Sequence, residues 1–106
     1  MSILNKFIYF CLILLTFSCS KTVEEVSTLT GDKIEIQMII AYRTGIEAFN
    51  QQNFLKAAKK FNEAELLFPQ SEWAPKASLM AAYAFYIDGY YDDAIFQLDQ
   101  FIKTYP

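Results

Sequence analysis

Few side chains in this chain are equipped for chemistry, and their distribution excludes more than it permits. There is no histidine, which removes the commonest general base and the commonest metal ligand. Asp92 and Asp93 form an adjacent acidic pair, but no third ligand stands near them in sequence. Acids in that position suit the first turn of a helix, where the dipole favours negative charge. Lys56, Lys59 and Lys60 gather near one helical face and read as a solvated face, with anionic headgroups as the alternative partner. No phosphate loop, nucleophile elbow or zinc spacing is present. The formal net charge is -3, and a mildly acidic chain lacks the basic face that phosphate binding needs. The residues therefore point away from an enzyme, a metal site, a cofactor or nucleic acid, and towards a surface that binds.

The remaining reactive group is a cysteine. Met1 to Lys6 carry one positive charge, and Phe7–Phe17 is an uncharged, mostly apolar run. As a helix the run spans roughly 16 Å, about half of a bilayer's hydrocarbon core, and it fits the apolar region of an export signal. Ser18-Cys19-Ser20 follows, and the chain then turns polar. A small residue just before a Cys at the end of such a run resembles the bacterial lipoprotein cleavage site. Thr16 and Phe17 depart from that pattern, which prefers Leu and a small residue there; Ser18 and Cys19 match it. The resemblance implies cleavage after residue 18 and a Cys19 carrying diacylglycerol on sulfur and an acyl chain on its amine. Each buried CH2 adds about 0.8 kcal/mol, so more than one chain anchors stably. Ser20 is similar to the residue that permits transfer to the outer membrane. The alternatives are an uncleaved signal anchor and a plain signal peptide with a chance cysteine. With Cys11 removed and Cys19 acylated, no disulfide or free thiol remains. The mature chain carries 8 bases against 12 acids, since Lys6 is the one charge lost.

The rest of the chain must be long helices that place a binding surface. Residues 19–32 are polar and read as the lipidated Cys with a flexible tether. Beyond them a shift of 37 superposes the second half on the first: Phe54 on Tyr91, Ala57 on Ala94, Phe61 on Leu98, Phe68 on Tyr105, Pro69 on Pro106. Two units follow, 33–69 and 70–106, each of two helices. The first helix is expected to start at Asp32, a capping residue, with Ile36, Ile39, Ile40, Ile46 and Phe49 as its apolar face. It stops near Gln51-Gln52-Asn53. The second runs Phe54–Leu67 and ends at Pro69. Ser71 is the expected cap of the third, which Asp88-Gly89 terminates; the fourth starts near Tyr90. Gly45 and Ala48 are expected to face Ala57 and Ala58, and Ala81 and Ala82 to face Ala94, letting helix backbones approach closely. The small residue mid-helix, the order Ala57, Phe61, Ala64 and the closing Pro69 resemble the tetratricopeptide repeat, without its usual Trp and with a longer period. The fold class is all-α, with a plain antiparallel helical bundle as the alternative.

A more specific resemblance lies in Leu67-Phe68-Pro69-Gln70-Ser71-Glu72-Trp73-Ala74-Pro75-Lys76-Ala77, in Ala82-Tyr83-Ala84-Phe85-Tyr86, in Gly89-Tyr90-Tyr91-Asp92-Asp93-Ala94 and in Phe101-Ile102-Lys103-Thr104-Tyr105-Pro106. Over about Lys33 to Pro106 the chain resembles the BamD family, lipoproteins of the machinery that assembles β-barrels into the outer membrane. The resemblance implies a periplasm-facing scaffold, with barrel-assembly proteins and unfolded outer-membrane proteins as partners. An envelope repeat lipoprotein coordinating peptidoglycan or division partners is the alternative. Family members carry about five repeats and this chain has two, whereas at least about three bury a continuous core. A truncated product or fragment, marginally stable alone, is therefore expected. In the family the N-terminal repeats are associated with substrate recognition.

In such solenoids the first helix of each pair lines the concave face. The expected peptide-groove residues are Tyr42, Arg43 and Asn50 from the first unit and Lys76, Tyr83 and Tyr86 from the second, with Ile46, Phe49 and Leu79 beside them. Tyr rings give apolar area and a hydroxyl, and Arg43 or Lys76 is placed to meet a terminal carboxylate. The alternative is that many of these residues only pack against the neighbouring helix.

Overall fold

A computed structural model of the chain describes the backbone of residues 2–14 and 22–106 and the side chains of residues 2–9 and 31–106. Cys19, with the expected cleavage motif from Thr16 to Ser20, lies outside the described residues. The described elements are all helices: α1 (Ser2–Leu14), α2 (Thr22–Asn50), α3 (Phe54–Leu67), α4 (Trp73–Ile87) and α5 (Tyr91–Thr104). The chain divides into two units, Met1–Asp32 and Lys33–Pro106.

In the first unit α1 exposes Ile3, Leu4, Phe7, Ile8 and Tyr9. No described helix is long and apolar enough to cross a membrane. Thr22–Asp32, expected as a flexible tether, is helical, and Asp32 lies inside α2 instead of capping it. The polar composition hid this. Once a helix exists, each added residue needs no new nucleus, no proline interrupts the segment, and Gly31 costs only about 1 kcal/mol relative to alanine.

The second unit contains two helical hairpins, as the repeat predicts. Its turns are built alike. Where α2 ends, the Gln52 N–H donates to the Phe49 carbonyl at 3.0 Å and the Asn53 N–H to the Ala48 carbonyl at 2.9 Å. Where α4 ends, the Gly89 N–H donates to Tyr86 at 3.2 Å and the Tyr90 N–H to Phe85 at 2.9 Å. Both are Schellman closures, which require a left-handed residue between the two donors' helix and the exit. That residue is Gln52 (φ 62°) in the first hairpin and Gly89 (φ 82°) in the second, again 37 apart. The side chain of Asn53 then caps α3, accepting from the Lys56 N–H at 3.4 Å. Before Pro69 and Pro106, Phe68 (φ -142°, ψ 72°) and Tyr105 (φ -123°, ψ 74°) leave the helical region, which a following proline ring disfavours.

The expected cap of α4 is not formed. Glu72 holds the cap position without a side-chain bond, and Ser71 works through its backbone: its N–H donates to Phe68 and its carbonyl accepts from Ala74. The tight turn after Pro69 consumes Ser71 one residue too early for its hydroxyl to reach the helix.

The core lies where α2, α3 and α4 meet. Phe61 is fully buried among Ala57, Ala58, Ala64, Ala77, Ala81 and Ala84. On α2 the buried stripe is Met38, Ala41, Gly45 and Ala48. The sequence pattern favoured Ile36 and Ile40, yet both are exposed. They stand two residues either side of Met38, about 200° round the helix, so burying the small residues turns them outward. Between α4 and α5, the Gln97 amide donates to the buried Ser78 hydroxyl at 3.0 Å. At the chain's end the Tyr105 hydroxyl donates to a Glu65 carboxylate oxygen at 2.8 Å, linking α3 to the close of α5.

These turns and contacts set three expected outcomes. Gly89→Ala puts a side chain on a left-handed residue, which costs about 1–2 kcal/mol, and lowers the urea midpoint accordingly. Gln52→Gly removes the same strain, partly offset by glycine's roughly 0.5–1 kcal/mol of chain entropy, and leaves stability equal or up to about 1 kcal/mol higher. Separately, burial, then the hydrogen bond to Glu65, then that carboxylate's charge push the Tyr105 phenol up from 10.0 to about 12. A folded value above the unfolded one means that the stabilisation is whole below pH 10 and is lost as pH rises towards 12. Denaturant midpoints measured across that window fall with pH, and fall less in Tyr105→Phe.

Candidate functional site

Two apolar depressions open on the second unit. The first encloses about 390 Å³ and is lined by Met38, Ile39, Tyr42, Arg43 and Ile46 of α2 and by Trp73 at the start of α4. Residues 39, 42, 43 and 46 share one face of α2 because they recur at three- and four-residue spacing. Trp73 reaches them because the turn after Pro69 sends α4 back against α2. Tyr42 is held edge-on between two rings, with centroids 5.4 Å from Phe61 and 5.4 Å from Trp73. Such contacts fix a ring beyond simple area burial. Arg43 is exposed at the edge of the depression, and among the described residues no carboxylate pairs with it. Lys76 lies one turn along α4 from Trp73, its ammonium 4.7 Å from the centre of the indole, a cation–π distance.

The second depression encloses about 440 Å³ between α4 and α5. Tyr83 and Tyr86 belong to it, with Leu79, Tyr91, Ile95 and Leu98. Tyr83 also stacks on Phe49 of α2, with centroids 5.5 Å apart and planes at 21°, and Tyr86 meets Tyr91 edge-on at 5.6 Å.

The residues expected to form one groove are therefore divided. Tyr42 and Arg43 stand together in the first depression, with Ile46. Tyr83 and Tyr86 stand in the second, with Leu79. Asn50, exposed at the end of α2, lines neither, and Lys76 touches the first only through the outer contact with Trp73. Phe49 packs against the core. Trp73, Met38 and Ile39 are the residues that sequence reasoning missed. Trp73 had a signal: it is the chain's single tryptophan and opens a helix directly after a turn.

Chemically, the first depression offers apolar walls of aromatic and aliphatic carbon with one guanidinium at the rim. It suits a large apolar side chain attached to an anionic group. Among the described residues there is no cluster of acidic or cysteine side chains able to hold a metal. Asp92 and Asp93 sit in the first turn of α5. Of the three lysines on α3, Lys60 pairs with Glu63 at 2.8 Å, and Lys56 and Lys59 are exposed.

A family model described as "Outer membrane lipoprotein" (YfiO) matches residues 35–106. The chain is 34% identical over 79 residues to an outer membrane protein assembly factor BamD of Caulobacter vibrioides, covering 74% of this chain and 25% of that protein. It is 32% identical over 65 residues to proteins of the same name from Rickettsia prowazekii and Neisseria meningitidis, covering 61% of this chain and 26% and 24% of theirs. The chain thus spans about a quarter of the length of the curated relatives it matches. No solved structure matches it.

Proposed function

The chain belongs to the YfiO family of outer membrane lipoproteins, which includes the assembly factors BamD, and from that premise we propose that it is a lipid-anchored, non-enzymatic scaffold that helps assemble and insert β-barrel proteins into the outer membrane. Cys19 carries the anchor, and the helical unit faces the periplasm. Its partners are other proteins of the barrel-assembly machinery and unfolded outer-membrane proteins.

The observation that carries the binding role is the apolar depression between Tyr42 and Trp73 with Arg43 at its rim. An extended chain ending in an aromatic residue supplies both complements, a ring for the pocket and a carboxylate for the guanidinium. A bidentate Arg–carboxylate pair is among the stronger charge-assisted contacts. Lys76 adds positive charge beside the same indole. Tyr83 and Tyr86 are not part of this subsite, and Asn50 stands outside both depressions.

Because Trp73 is the one tryptophan and lines the depression, its fluorescence reports occupancy. A short peptide ending in Phe with a free carboxylate shifts the emission in a saturable way. Arg43→Glu, or amidation of the peptide, weakens binding by about tenfold, equivalent to about 1.4 kcal/mol, whereas Tyr86→Ala leaves it within about twofold. A flat titration with the free-carboxylate peptide removes the subsite.

The wider role is checked by mild-detergent pull-down of the native protein from its own envelope, followed by mass spectrometry. Recovery of the β-barrel insertase is expected, and Cys19→Ser releases the protein from the membrane fraction. Recovery of peptidoglycan or division proteins in place of the insertase overturns the assembly role.

A further inference from the structure

The two hairpins, superposed by the 37-residue step, agree inside and differ outside. Inside, Gly45 and Ala82 are both buried, as are Ala57 and Ala94. Outside, Leu55, Lys56, Lys59, Asn62, Glu63 and Leu66 lie within about 120° of the α3 surface, at about 100° per residue. They stand where α5 has Asp92, Asp93, Phe96, Asp99, Gln100 and Lys103. On α3 Lys60 meets Glu63 at 2.8 Å, which leaves Lys56 and Lys59 exposed and without a carboxylate partner among the described residues. On α5 Lys103 meets Asp99 at 2.7 Å, which leaves Asp92 and Asp93 without a cationic one. One outer face thus carries two free cations and its counterpart two free anions, in a chain with more acids than bases. The core does not dictate the difference, because none of these side chains belongs to it.

The α3 face is also apolar at both ends. Leu55 is 39% exposed and Leu66 79%. Eleven residues apart in the sequence, they differ by about 20° round the helix and about 16 Å along it. Lys59 lies between them, and with Asn62, Glu63, Leu66 and Leu67 it borders an open depression of about 410 Å³. One exposed leucine alone needs no explanation. Two on one line, with free ammonium groups between and beside them, match a helix that lies on lipid. There apolar side chains reach the acyl boundary and lysine stems let the charge stay at headgroup level.

We propose that the outer face of α3 rests on an anionic lipid surface. Leu55 and Leu66 enter the acyl boundary, Lys56 and Lys59 meet headgroup phosphates, and Asp92 and Asp93 keep the matching face of α5 away from it. An acidic peptide is the poorer occupant: it engages the lysines, but it needs a shaped seat to cover two leucines so far apart, and a lipid surface does not. The inference depends on neither the peptide subsite nor the assembly role.

An indole placed on the face reports the contact, because brominated acyl chains quench it only at close range. Trp73→Phe removes the native indole. On that background Leu66→Trp puts a reporter on α3, and Lys103→Trp puts one at the matching place on α5. Both side chains are exposed, so helical content by circular dichroism stays unchanged. Each full-length variant is reconstituted in vesicles of brominated phosphatidylcholine, with or without about one-third phosphatidylglycerol as the anionic lipid. The anionic vesicles quench the indole at position 66 by about half or more and spare the one at position 103. Each lysine near such a surface strengthens attachment about fivefold. Adding Lys56→Glu and Lys59→Glu, or leaving out the phosphatidylglycerol, therefore restores the emission at position 66. Equal quenching with and without anionic lipid overturns the proposal, since charge then plays no part. Equal quenching at the two positions overturns it as well, since adsorption then has no preferred face. An unquenched indole at position 66 does the same and leaves the lysines to solvent or to an acidic protein.

Discussion

A β-carbon added to Gly45 would meet two carbons of the Phe61 ring at 2.9 Å, closer than any real side chain tolerates. This contact sets the distance between α2 and α3, and much else follows from it. With the helices so close, the Phe61 ring lies directly against Gly45, and its neighbours in the core are small: Ala57, Ala58 and Ala64 on its own helix, Ala77, Ala81 and Ala84 on α4. Overpacking a filled core costs about 1–3 kcal/mol, which exceeds the roughly 1 kcal/mol that glycine gives up in a helix relative to alanine. A glycine in the middle of a long helix is therefore explained by packing. The large side chains that surround this alanine core, Tyr42, Phe49, Phe54 and Trp73, are displaced to its edge, and the edge is where the first depression forms.

The second constraint is the turn. Short Schellman exits bring each hairpin's second helix back along the first without slack, so the contact at Gly45 is reached in one register. Gln52 and Gly89 occupy the same left-handed position, and the first repeat accepts strain there that glycine spares the second. The two hairpins thus share a backbone and differ in their side chains. Gly45 with Phe61 becomes Ala82 with Leu98, a change in which the small residue grows and the large one shrinks. Ala58 becomes Ile95, which places apolar volume one turn before Leu98 and adds it to the lining of the second depression.

What could be read from the residues follows the range of the interactions involved. The bounds of α3, Phe54–Leu67, depend on Asn53 and Pro69, both acting on adjacent backbone, and they are as expected. The repeat and its alanine–aromatic core were equally legible, since shape complementarity is repeated in the letters themselves. The groove was not, because membership depends on how α2 and α4 are placed. Asn50 shares the face of Arg43 and Ile46 by three- and four-residue spacing, but as the last residue of α2 it stands one turn past the depression, so position along the axis decides against it. Trp73 came in through a tertiary contact with no counterpart in local spacing. The cap at Ser71 failed because a turn of one residue's different length decides whether a hydroxyl reaches a helix. The polar composition of Thr22–Asp32 suits a tether, yet polar residues without proline are equally compatible with the helix observed there.

Charge gives the first depression a character that the whole chain lacks. The helical unit holds more acids than bases, so its distant field repels anions. Its cations are not spent evenly. Lys60 and Lys103 pair within their own helices, with Glu63 at 2.8 Å and Asp99 at 2.7 Å, and both pairs are exposed, where such contacts contribute little. Arg43 and Lys76 flank Trp73 instead, and Glu47 and Glu72, each one turn away along the helix, form no ion pair with them among the described residues. An anionic group is therefore favoured at this rim beside an apolar wall, whereas the exposed Lys56 and Lys59 on α3 offer charge without lining that depression. Electrostatics of this kind acts on orientation more than on affinity: the carbon surface retains an aromatic side chain, and the guanidinium selects the chains in which that side chain sits beside a carboxylate.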